Sequence, residues 1–92
     1  MSGCAYAVVK RNHQKLRYEQ AQFELSNGIL MMFTQDGTEV CRSPAQDVHG
    51  RSYQGHVLLF HTEGPEMNVA IEYDIYLPTD ELVQLLHPLL LN

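Results

Sequence analysis

Ninety-two residues, 45% hydrophobic and 18% charged, suffice for one globular domain with a modest core, and they exclude a disordered chain. Six basic and five acidic residues lie at or before Arg51, and no basic but six acidic residues follow it, so the net charge of −5 divides into +1 and −6. An acidic C-terminal half repels phosphate and turns the reading away from nucleic acid, except through the basic stretch 10–17.

The N-terminal segment MSGCAYAVVKRNHQ contains the longest apolar run, Cys4 to Val9, far short of the roughly 18 residues that span a bilayer. Its apolar part precedes its basic part, the reverse of a secretory signal, and no cleavage motif follows. Ser2 after Met1 excludes a myristoylation signal. The expectation is a soluble, cytoplasmic chain with no membrane partner. Cys4, near an N-terminus expected to be mobile, and Cys41 are expected to be free thiols. The stretch KRNHQKLR, 10–17, holds four positive charges and no acid, and reads as a solvated strand or turn. Nucleic-acid binding there is the weakest alternative, because only Tyr6 and Tyr18 flank it and no recognised RNA-binding pattern appears.

Residues 14–25, QKLRYEQAQFEL, change apolar parity between Tyr18 and Ala21, so a strand here requires a bulge near Glu19-Gln20. A helix is the alternative, but it would place Leu16 and Phe23 opposite Tyr18 and Leu25, with no apolar stripe. Two turn signals follow, Asn27-Gly28 and Asp36-Gly37. Taken as two-residue loops, they pair Leu25 with Leu30, Phe23 with Met32, Met32 with Cys41 and Phe33 with Val40. The resulting three-strand meander places Phe23, Leu25, Leu30, Met32 and Cys41 on one face and Ile29, Met31, Phe33 and Val40 on the other.

Arg42 to Gly55 reads as the longest irregular stretch, with Ser43-Pro44 opening a short helical turn. HVLLFHT, 56–62, reads as a buried strand, and 68–77 alternates with Val69, Ile71, Tyr73, Ile75 and Leu77 on one face. Residues 63–66 make the hairpin between them. Thr79 is the predicted N-cap of a helix whose first turn holds Asp80 and Glu81, and Pro88 ends it near His87. The fold class expected is α+β: a strongly bent antiparallel sheet of five to six strands, or a small open barrel, with one C-terminal helix.

No motif carries catalysis. His56 and His61 differ by an odd number of residues and fall on opposite faces of a strand, and no metal-ligand spacing occurs. His49 and His56 are the remaining weak metal candidates. Cys41 is placed beside Met32 on a sheet face rather than with His49 as a nucleophile pair. Glu72 and Asp74 point the same way, about 7 Å apart, as a solvent-facing strip. Gly50 and Gly55 lack phosphate-loop spacing. What remains is surplus apolar surface: Ile29, Met31 and Phe33 on the second sheet face, and Leu86, Leu89 and Leu90 at the leucine-rich C-terminus, whose tail after Pro88 is expected to reach a second subunit. The functional expectation is a non-enzymatic interaction or regulatory module without cofactor that forms a homodimer through these residues. The alternative is a small-ligand or metal-binding domain using loop 42–56 with His49, Arg51 and His56.

Overall fold

The computed structural model describes residues 1–92. Eight antiparallel strands run in chain order: β1 (Ser2–Arg11), β2 (Gln14–Glu19), β3 (Gln22–Ser26), β4 (Ile29–Phe33), β5 (Glu39–Pro44), β6 (Val48–Tyr53), β7 (His56–Glu63) and β8 (Asn68–Pro78). They form one sheet ordered β5-β4-β3-β1-β8-β7-β6, with β2 pairing β1 beside that path, and helix α1 (Asp80–Leu86) follows. The α+β class is as expected, but there are eight strands rather than five or six. The sheet is not closed, because no ladder joins its edge strands β5 and β6. No helix is long and apolar enough to cross a membrane.

Turn chemistry explains the N-terminal half. Asn12 and His13 both take positive φ, 52° and 63°, as a two-residue type I′ turn requires. The basic stretch 10–17 is therefore the tip of the β1–β2 hairpin. Residues 14–25 are strand, broken where the parity changes, at Gln20 with a φ of 50°. The expected bulge is absent, because Tyr6 faces Glu19 and Gly3 faces Gln22 in one register, and the positive φ turns the faces instead. Around Asn27-Gly28 the register is as predicted, Leu25 opposite Leu30 and Phe23 opposite Met32. The second turn corrects the prediction. Its loop is three residues, Gln35 to Gly37, closed by the Thr38 carbonyl accepting from Thr34 N at 2.8 Å. Asp36 accepts hydrogen bonds from the Thr34 hydroxyl and Thr38 N, which hold its carboxyl below the ordinary range, and Gly37 supplies the positive φ. The extra residue puts Glu39, not Val40, opposite Phe33, while Met32 still meets Cys41.

The stretch 42–55 is not irregular. It holds the end of β5, a 3-10 turn at Ala45–Asp47, strand β6 and the turn into β7. Strand β6 escapes periodicity because its inward positions are Val48, Gly50 and Ser52, only one of them a sizeable apolar side chain. β7 is buried on one face, not two: Val57, Leu59 and His61 point inward, while His56, Leu58 and Phe60 are half-buried outside. In β8, Ile71, Tyr73 and Ile75 enter the core, but Val69 and Leu77 at its ends are exposed, and Leu77 leaves the alternation with a φ of 51°.

A single core of 17 buried apolar residues lies inside the bend. Its curvature is read from one contact. Strands β5 and β8 are four places apart in the sheet, about 19 Å if it were flat. Yet the Tyr73 hydroxyl lies 2.7 Å from Ser43 Oγ and 3.6 Å from Cys41 Sγ, while its ring meets Phe23 edge-on. Burial pushes the Tyr73 hydroxyl and the Cys41 thiol up, and Cys4 up to about 11, so the two free thiols are poor nucleophiles. Tyr73→Phe would leave the fully buried Ser43 hydroxyl without that partner. The expected loss in urea unfolding is about 1–3 kcal/mol, recovered in part by Ser43→Ala in the same chain.

Helix α1 closes the open side of the bend. Thr79 caps it, its hydroxyl accepting from Leu82 N at 3.1 Å, and Glu81 in the first turn accepts from Ser2 Oγ at 2.7 Å. That bond pins the N-terminus, so Cys4 is buried in β1 and not beside a mobile end. Leu82 and Leu86 are fully buried, and Leu89 follows in a 3-10 turn opened by His87-Pro88. The tail then docks on its own chain. Leu90 bridges Gly50, Leu91 N donates to Gly50 O at 2.8 Å, and the Asn92 carboxamide bonds both the N–H and the C=O of Ser52. The tail thereby occupies the edge of β6 at Gly50 and Ser52.

Candidate functional site

Strand register sets a row of rings across the outer face of the sheet. Tyr6 pairs with Tyr76, Tyr76 with His56, and His56 with Tyr53, so four strands each contribute one ring at the same level. Tyr6 and Tyr76 stack at 4.7 Å and 14°, and Tyr76 and His56 at 4.6 Å and 11°. Spacings equal to the strand separation, with planes so nearly parallel, leave no room for rings lying flat. They stand on edge, face to face. The Arg17 guanidinium covers the outer face of Tyr6 at 3.8 Å from its centroid. At the other end Tyr53 stacks more loosely, 6.0 Å from His56, and is 52% exposed.

Charges flank this row. Lys10 Nζ lies 2.8 Å from Glu72 and 3.2 Å from the buried Asp74, and these bonds, to Glu72 first, raise the Lys10 pKa. The acidic strip is thus tied down by the basic hairpin rather than left to solvent. Arg17 pairs likewise with Glu19 at 2.5 Å. His56 Nε2 is buried without a hydrogen-bond partner, 4.0 Å from Asp74 Oδ1.

A second outward surface lies over β3, β4 and β5. Ile29, Met31 and Phe33 sit there half-buried, facing away from Leu30 and Met32. Two cross-strand rows define it, Ser26–Ile29–Pro44 and Glu24–Met31–Arg42. Arg42 is paired on its own strand with Glu39 at 2.7 Å, whereas Glu24 has no ion pair.

Of the residues singled out by sequence, Ile29, Met31 and Phe33 are brought together and face outward. Leu86 is fully buried and Leu89 is 7% exposed, so neither offers a surface to a partner. Leu90 is half-buried against the core. The reason is that α1 turns one face into the bend: Leu82 and Leu86, four residues apart, are buried there, while Asp80, Glu81 and Gln84 are exposed. His49 and His56 do share the outer face, but His49 pairs with Phe60 and His56 with Tyr53, four residues apart along the ladder, about 13 Å. No group of three or more His, Cys, Asp or Glu converges closely enough to hold a metal ion. Cys41 and His49 lie on opposite sides of the sheet. The ring row was missed because its members are far apart in the chain. Its only local signal is Tyr76, two residues beyond Asp74 on the strip that Glu72 begins.

No family model, no curated protein and no solved structure matches this chain.

Proposed function

We propose that the protein is a non-enzymatic interaction module that self-associates through the outer face of β3, β4 and β5. The observation that carries this reading is the row Glu24–Met31–Arg42. A two-fold axis lying in the plane of contact and running along β4 carries Glu24 of each copy over Arg42 of the other and seats Met31 on Met31. The arrangement is self-complementary in charge around an apolar centre, as an isologous interface requires. Ile29 and Phe33 extend the apolar strip along the same axis, and methionine adapts to an imperfect fit. Leu86, Leu89 and Leu90 take no part. The basic hairpin is a poorer platform for nucleic acid than its sequence suggests, because acids of the same face hold Lys10 and Arg17.

Sedimentation velocity tests the reading. The wild type is expected to dimerise at micromolar concentration, Glu24→Arg to shift it to monomer, and Glu24→Arg with Arg42→Glu to restore the dimer. A wild type that stays monomeric to about a millimolar, or a double variant no better than the single one, overturns it.

A further inference from the structure

A small cleft of about 230 Å³ opens on the outer face of β6 and β7, away from the proposed contact surface. Its floor is Leu58 and Phe60, which pair across the ladder with Arg51 and His49. Tyr53 and Leu91 also line it, Leu91 held there by the bonds of Leu91 N to Gly50 O and of Asn92 to Ser52. No acidic residue lines it, although the chain carries a net charge of −5.

Arg51 is the one arginine whose guanidinium has no partner in the protein. Arg17 and Arg42 pair with Glu19 and Glu39, and Arg11 donates to the Val40 carbonyl at 3.2 Å. An unpaired fork donor at the mouth of an apolar cleft selects an anion with an apolar body. One fork without a nest of backbone N–H groups suits a planar carboxylate better than a phosphate, which draws several donors. The half-exposed Tyr53 ring supplies a stacking face. The volume lies below the usual range for drug-sized ligands, roughly 300–1,000 Å³, and restricts the body to about one ring. We infer that this cleft binds a free, single-ring aryl carboxylate, with Arg51 holding the carboxylate and Tyr53, Leu58 and Phe60 the ring. This site does not depend on self-association.

Titration of the intact ¹⁵N-labelled protein with phenylacetate tests it by NMR. The expected result is saturable shifts at 49–53, 58–60 and Leu91, with a Kd of about a millimolar for so small a ligand. Phenylacetamide, which lacks the charge, and acetate, which lacks the ring, should each bind at least about tenfold more weakly, as should phenylacetate to Arg51→Gln. Arg51 is exposed and unpaired, so that variant should keep the wild-type spectrum elsewhere, and Glu24→Arg should bind phenylacetate as the wild type does. Absence of saturation by about 50 mM, or equal affinity for the amide, for acetate or in Arg51→Gln, overturns the inference.

Discussion

Replacing Gly50 by alanine is expected to destabilise this protein by about 3 kcal/mol or more, lowering Tm by at least about 12 °C. A Cβ on Gly50 would stand 1.9 Å from the Leu58 carbonyl oxygen and 2.9 Å from Leu59 Cα. Both are backbone atoms of the neighbouring strand, so no rotamer change relieves the clash. β6 would have to lift from β7, and the anchor of the C-terminal tail on Gly50 would move with it. A 92-residue domain has a net stability near the low end of the usual 5–15 kcal/mol, so such a loss unfolds a measurable fraction at room temperature. Thermal and urea unfolding followed by circular dichroism check this. Gly37→Ala is the control. It forces a side chain onto a positive φ, 90°, which Gly50 does not have, but with nothing within 4 Å, and it should cost only about 1 kcal/mol. Equal losses in the two variants would mean that the strands yield to the added methyl group and that close approach does not make Gly50 necessary.

The same residue shows why part of the fold is hidden from sequence. Where local chemistry decides structure, the residues say so: Asn27-Gly28 dictates a type I′ turn and hence the β3–β4 register, and Thr79 with Asp80 and Glu81 announces α1. Parity alone located the break at Gln20. β6 carries no such signal. Its inward side is small because β7 approaches closely, and that cause lies in a pairing partner rather than in the strand itself. The candidate surfaces divide in the same way. Ile29, Met31 and Phe33 were legible because they alternate within one strand. Tyr6, Tyr53, His56 and Tyr76 form a row only when β1, β6, β7 and β8 are in register, and Arg17 joins it from β2. The seven leucines and valines after Glu81 were legible as apolar, but the burial of Leu82, Leu86 and Leu89 by their own chain was not. Composition states how much apolar surface a segment has, and only packing states what covers it.

Leu86→Ala separates those two outcomes. Leu86 is fully enclosed, in the helix that closes the open side of the bend. Truncating it removes buried methyl groups and leaves a cavity that the surrounding sheet fills only in part, an expected loss of about 2–5 kcal/mol. With m values of about 1–3 kcal/mol/M in urea, the midpoint should fall by about 1–3 M. Leu91→Ala, at a side chain 64% exposed, should change the stability by less than about 0.5 kcal/mol. Were Leu86 a contact between copies, its truncation would instead lower association and leave the stability of the monomer intact. Measured in the monomeric Glu24→Arg background, the Leu86→Ala loss should persist undiminished, because the core it fills belongs to one chain. A loss that vanishes in that background would return the leucine-rich C-terminus to the interface and remove the basis for confining self-association to β3, β4 and β5.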